Sequence, residues 1–69
     1  MNEWQREIMS YVCRMPGGWT VTLLAQHMGQ RRELIAARVD SLRRTGFLRR
    51  RVHSLYPTVA GRLAFELAA

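Results

Sequence analysis

The region that most constrains the fold is residues 19–51, where two helical apolar patterns are separated by a glycine and followed by a basic strand. A short helix is predicted over Leu23–Met28, with Thr22 as its N-cap and Gly29 ending it in a left-handed conformation. A longer helix is predicted over about residues 31–45, since apolar residues recur on one of its faces. The predicted core positions of the two helices are Leu24, Ala25, Met28, Ile35, Val39 and Leu42.

A first helix, over about residues 3–14, precedes this region. Asn2 is suited to cap it while Gln5 reaches back to form a capping box, and Pro16-Gly17-Gly18 ends it. Its apolar face is predicted to comprise Trp4, Ile8, Tyr11, Val12 and Met15. The β-branched, apolar segment Trp19-Thr20-Val21 predicts one strand of a small sheet.

A hairpin is predicted after Gly46, which ends the longer helix. Residues 47–51 and 55–56 would pair, with Val52-His53-Ser54 as a short tip without a turn glycine. Pro57 cannot continue a central strand, because proline has no N–H to donate.

A last helix is predicted over Val59–Leu67, with Thr58 as its cap. Its apolar residues extend around much of its circumference: Val59, Ala60, Leu63, Ala64, Phe65 and Leu67. Such a helix has a second surface to bury, which predicts a homodimer through the first and last helices or a protein partner. The residues expected on this surface are Leu63, Phe65 and Leu67.

Charge is the strongest compositional signal. The net charge is +6 and all eleven basic residues are arginine, which predicts a polyanionic partner and suits phosphate and guanine recognition. The length predicts a single domain over residues 1–69, and no apolar segment is long enough to cross a bilayer. The N-terminal residues do not follow the pattern of a secretory signal, and Cys13 is a lone cysteine. We therefore expect a cytoplasmic protein.

Three segments together resemble the winged-helix regulators related to the MarR group. They are residues 21–25 (VTLLA), residues 39–50 (VDSLRRTGFLRR) and residues 56–62 (YPTVAGR). The resemblance implies a mostly α fold with a small β-hairpin wing, a winged helix-turn-helix of order α-β-α-α-β-β-α. It also implies a sequence-specific double-stranded DNA-binding protein, a small bacterial or phage transcriptional regulator. The extra terminal helices that enclose a ligand pocket in full-length relatives are missing, so no small-molecule effector is expected.

In such a fold the N-terminal end of the longer helix, predicted over about residues 31–45, points into the major groove. That end carries Gln30, which can bond adenine, and Arg31 and Arg32, which can bond guanine. Ala37 would allow close approach. Further contacts are expected from Arg38 on the helix flank, from Arg44, and from the wing residues Arg49, Arg50 and Arg51, which would hold phosphates.

Alternative interpretations accompany several of these residues. Glu33 and Asp40 are predicted to face solvent on the same helix and would repel phosphate. Arg43 and Arg44 would pair with Asp40 or complement the helix dipole. The three wing arginines could instead protect an edge strand against aggregation.

Catalytic and metal-binding patterns are not found. His27, His53 and Cys13 lack metal-ligand spacing, and no serine has a suitably placed histidine and acid, so neither an enzyme nor a cofactor is predicted. Trp4 and Trp19 are interpreted as packing residues rather than base-stacking platforms. The alternative function is a winged-helix module that binds or inhibits a host protein or a polymerase component.

Overall fold

The computed structural model describes residues 1–68. Within them the chain forms four helices and one two-stranded antiparallel hairpin, as the sequence predicts. The elements are α1 (Glu3–Arg14), α2 (Val21–Met28), α3 (Arg32–Arg44), β1 (Leu48–Arg51), β2 (Ser54–Pro57) and α4 (Val59–Ala68).

Helix α1 has the predicted bounds and the predicted capping box. The Gln5 backbone N–H donates to Asn2 Oδ1 at 2.9 Å, and the Asn2 N–H donates to Gln5 Oε1 at 2.8 Å. Ile8 and Val12 are fully buried, and so is Met9, which the predicted apolar face did not include. Met15 was wrongly assigned to that face, because it lies beyond the end of the helix and is exposed.

Helix α2 begins earlier than predicted. Its N-cap is Thr20, whose Oγ1 accepts from the Leu23 N–H at 3.1 Å, and the prediction of Thr22 as the cap was wrong. The predicted strand over residues 19–21 was also wrong. Trp19 alone of these three forms a β-bridge, to Leu55, while Val21 is the first helical residue. Starting the helix there adds Val21 to the buried side of α2.

Helix α3 and the hairpin lie close to the predicted positions. Arg31 is the N-cap of α3 rather than its first residue, and Gly46 adopts a φ of +88° just after the helix. In the hairpin Arg50 lies opposite Leu55 and Arg51 opposite Ser54, so the tip is two residues rather than three. Pro57 ends β2, a position that tolerates proline because a two-stranded sheet has no central strand.

The core lies between the helices and the inner face of the hairpin. Its buried members are Ile8, Met9, Val12, Val21, Leu24, Ala25, Ile35, Val39, Leu42, Leu48 and Leu55. The three core positions predicted for α3 are all among them, as are Leu24 and Ala25 of α2, while Met28 is half-buried. Tyr11, Trp19 and His27 form a cluster at the edge of this core, with ring centroids 5.2–5.3 Å apart. The aromatic side chain of Trp19 therefore has a packing role.

Thr58 and Gly61 hold α4 against the segment that leads into the hairpin. Thr58 caps α4 as predicted, accepting from the Gly61 N–H at 2.9 Å while its hydroxyl donates to the Gly46 carbonyl at 2.6 Å. A Cβ on Gly61 would overlap the Phe47 carbonyl oxygen. Glycine therefore lets α4 approach the backbone that leads into β1.

Candidate functional site

The net charge is concentrated in one part of the molecule. Residues 31–51, which span α3 and β1, contain eight of the eleven arginines and two of the five acids, a balance that accounts for the whole net charge of +6. Helices α1 and α4 together contain three arginines and three glutamates, which cancel. A polyanion is therefore attracted to α3 and the hairpin rather than to α1 and α4.

The N-terminal end of α3 is exposed and basic. Gln30, Arg31 and Arg32 are all accessible to solvent, as is Ala37 one turn further on. Arg31 has no acceptor atom in its side chain, so it leaves the first amides of α3 to solvent or to an anion.

A cleft of about 360 Å³ separates this end of α3 from the hairpin and the first turn of α2. It is lined by Thr20, Val21, Thr22, Arg32, Arg50 and His53. Arg32 Nε donates to Thr22 Oγ1 at 3.1 Å, which holds the guanidinium beside the first turn of α2. Two arginines from different elements thus line one opening beside the positive end of a helix dipole, an arrangement that favours an anion.

A second cleft, about 320 Å³, lies between the C-terminal end of α3 and β1. Its lining includes Asp40, Arg43, Arg44, Arg49 and Arg50. Asp40 Oδ2 is 3.2 Å from Arg44 Nη1, and Asp40 Oδ1 is 3.8 Å from Arg43 Nη1. The predicted pairing on α3 is confirmed, so Arg44 is partly neutralised. Arg50 lines both clefts and connects them.

The three hairpin arginines differ in their surroundings. Arg49 lies opposite Tyr56, and its guanidinium carbon is 5.4 Å from the centre of that ring. Arg50 lies opposite the buried Leu55, on the face that turns toward the helices. Since neighbours in a strand alternate, Arg49 and Arg51 share the other face, and all three are exposed.

Arg38 lies apart from this group. Its guanidinium carbon is 5.3 Å from the centre of the Trp4 ring, so the side chain extends toward α1 and is half-buried. This predicted contact residue is therefore placed against α1, away from the two clefts. Trp4 has this packing role rather than an open face for a base.

The surface predicted for a protein partner differs from expectation in one residue. Leu63 and Leu67 are 54% and 87% exposed, whereas Phe65 is half-buried and packs against the core. Phe65 was wrongly placed on that surface, because it lies on the side of α4 that carries the buried Gly61. Val59, 77% exposed, lies with the two leucines instead.

Several residues of the first cleft were not predicted as part of the site. Thr20 and Thr22 line it because α2 begins two residues earlier than expected, and His53 reaches it from the hairpin tip. The signal was present in the sequence: Val21, Leu24, Ala25 and Met28 recur at i, i+3, i+4 and i+7, the spacing of one helical face.

Cys13 borders a smaller cleft between α1 and α4, with Arg62 and Glu66 among its neighbours. Burial raises the pKa of the Cys13 thiol; Arg62 opposes this effect and Glu66 adds to it. A thiol with a raised pKa is a poor nucleophile at neutral pH, which agrees with a packing role.

Within residues 1–68, no three or more His, Cys, Asp or Glu side chains lie close enough to hold a metal ion. The helices of this part of the chain also lack the length and apolar character needed to cross a bilayer. Comparisons with protein-family models, curated proteins and solved structures gave no match.

Proposed function

We propose that the protein is a winged helix-turn-helix that binds double-stranded DNA sequence-specifically and acts as a small transcriptional regulator. In this arrangement the N-terminal end of α3 enters the major groove, where Gln30, Arg31 and Arg32 bond base edges. The hairpin is the wing, and its arginines hold the phosphate backbone.

The observation that carries this proposal is the position of the charge. The whole net charge of +6 lies in residues 31–51, and Arg32 and Arg50 line the cleft between the N-terminal end of α3 and the hairpin. An α-helix about 10–12 Å across fits the major groove of B-DNA, which is about 12 Å wide. A phosphate seated in the cleft would contact α3 and the wing at once, which fixes the helix relative to the groove.

The two acids on α3 reduce this attraction only in part. Asp40 is paired with Arg44 and Arg43, so its charge is balanced locally. Glu33, next to Arg32, can accept a hydrogen bond from the cytosine amino group and so contribute to base selection.

Selection from a random duplex library over a salt series tests the proposal. We expect one enriched sequence motif and an affinity that falls steeply as salt rises, with a logarithmic slope of about −0.9 for each phosphate contacted. Binding without an enriched motif would contradict sequence-specific recognition.

A matched pair of variants separates a contact from a general charge effect. Arg32→Gln and Arg14→Gln each remove one exposed positive charge, but Arg14 lies at the end of α1. We expect Arg32→Gln to weaken binding to the selected site by about tenfold or more, and Arg14→Gln by less than about twofold. Equal losses would show that charge alone is involved.

The second candidate function is a protein-interaction module that binds or inhibits a host protein or a polymerase component. The exposed aliphatic residues of α4 favour it. This function predicts that Arg32→Gln leaves activity in the cell unchanged while Leu63→Asn abolishes it. DNA recognition predicts instead that Arg32→Gln abolishes the activity.

A further inference from the structure

Helix α4 presents apolar side chains to solvent. We call Val59, Leu63 and Leu67 the aliphatic row; they are spaced four residues apart and are 77%, 54% and 87% exposed. Gly61, on the opposite side of the helix, is buried against the core. An amphipathic helix normally turns its large aliphatic residues inward, so an outward row indicates a surface that is covered in the working protein.

We propose that a second copy of this chain covers the aliphatic row, with the two α4 helices packed antiparallel about a two-fold axis. The distribution of charge favours a contact between copies through α4. Residues 31–51 have a net charge of +6, so two copies that met through α3 and the hairpin would repel each other. Helices α1 and α4 have equal numbers of arginines and glutamates, so two copies can approach there without net repulsion.

The polar residues beside the aliphatic row are complementary in charge between two antiparallel copies. Arg62 and Glu66 flank it on one side of α4, one turn apart, and they form no ion pair with each other within residues 1–68. In an antiparallel pair whose axis crosses near the middle of the row, Arg62 of each copy lies beside Glu66 of the other. Val59 then meets Leu67 of the second copy, which gives the self-complementary pattern that a two-fold interface requires.

The position of α4 allows this pairing alongside the proposed DNA contact. Helix α4 packs on α1 and β2, whereas α3 packs on α2, β1 and α1. Helix α4 also contributes no residue to either of the two clefts lined by arginine. The row is only about 12 Å long at 1.5 Å per residue, shorter than a standard interface needs, so we expect a micromolar dissociation constant.

Sedimentation equilibrium of the full chain, without DNA, tests the proposal directly. Between about 1 μM and 1 mM we expect the mass to rise from one chain to two and to stop there. A mass of one chain throughout this range, or a mass that rises beyond two, would overturn the proposal. Neither result depends on whether the protein binds DNA.

Variants locate the interface. Leu67→Gln should weaken dimerisation at least tenfold; Leu67 is 87% exposed, so the fold should be unaffected. Val52→Asn, which removes an equally exposed aliphatic side chain from the hairpin tip, is the matched control and should leave the dissociation constant unchanged. A dimer that Leu67→Gln does not weaken would refute the aliphatic row as the interface.

A charge exchange tests the antiparallel register. Glu66→Arg should weaken the dimer, because the new guanidinium of one copy then lies beside Arg62 of the other and the two positive charges repel. The double variant Arg62→Glu with Glu66→Arg should restore it. Failure of the double variant to recover the dimer would exclude this register.

Discussion

The two halves of this molecule differ in charge although they share one core. Residues 31–51, which include α3 and β1, contain eight arginines and two acids, while α1 and α4 contain three of each. The basic half presents clefts lined by arginine, and the neutral half presents exposed aliphatic residues. A chain of 69 residues thus provides two unlike surfaces, one suited to a polyanion and one suited to an uncharged contact.

The two halves meet where Gly61 of α4 packs against the backbone of Phe47, and the largest effect is expected from a substitution there. Gly61→Ala should cost about 3 kcal/mol or more of unfolding free energy, because its Cβ would overlap the Phe47 carbonyl. A small domain has little stability to lose, so much of the variant should be unfolded. Urea denaturation followed by tryptophan fluorescence measures the effect.

Ala60→Gly is the control for that substitution. Ala60 is exposed on the same helix, and its replacement should cost only about 1 kcal/mol through lower helix propensity. If Gly61→Ala were neutral or stabilising, as helix propensity alone predicts, the close approach of α4 to the hairpin would be refuted.

Within the basic half, Arg50 and Arg49 are expected to contribute unequally to DNA binding. Arg50 lines both clefts, whereas Arg49 lines one and lies over Tyr56. We expect Arg50→Gln to weaken DNA binding about tenfold, or about 1.4 kcal/mol, and Arg49→Gln about threefold. Fluorescence anisotropy with a labelled duplex at fixed salt measures both. The opposite ranking would place the phosphates on the outer face of the hairpin.

The hairpin tip, in the basic half, contains a residue with a strained backbone conformation. Val52 has a φ of +59°, a conformation that β-branched residues rarely adopt and that asparagine tolerates. Val52→Asn should therefore raise the unfolding free energy by about 1 kcal/mol. Thermal denaturation gives the value; a lower melting temperature would show that Val52 makes a stabilising contact.

The smallest expected effect comes from removing an acid from each half. Asp40→Asn should tighten DNA binding about twofold to threefold, because it releases Arg43 and Arg44 and removes one negative charge from the basic half. Its stability should change by less than about 0.5 kcal/mol, since the pairs are exposed. Glu7→Gln makes the same charge change on α1 and should leave affinity unchanged. An equal gain from both would mean that the position of the charge is unimportant.

Much of the fold followed from local signals in the sequence. The capping box of Asn2 and Gln5, the left-handed Gly29 and the cap at Thr58 were predicted and are confirmed, because each involves residues a few positions apart. The core face of α3 followed from spacing alone. The start of α2 was misplaced because Thr20 and Thr22 are both reasonable caps, and only the packing of Val21 distinguishes them.

The candidate site was predictable in composition but not in arrangement. The sequence predicted Arg32 and Arg50 as DNA contacts, but their joint lining of one cleft depends on how the hairpin folds back toward α2. Arg38 and Phe65 were assigned to open surfaces, yet Arg38 lies over Trp4 and Phe65 packs on the core. Each of these contacts joins segments that are distant in the sequence.

The number and order of the helices, the hairpin and the concentration of arginine in residues 31–51 could all be predicted from the sequence. Helical periodicity, caps and turns act over a few residues, and charge is fixed by composition. The folded structure was needed to show which arginines line the same cleft and which aliphatic residues of α4 lie outside the core. Those outcomes depend on packing between distant segments, where a single small residue such as Gly61 sets how closely two elements approach.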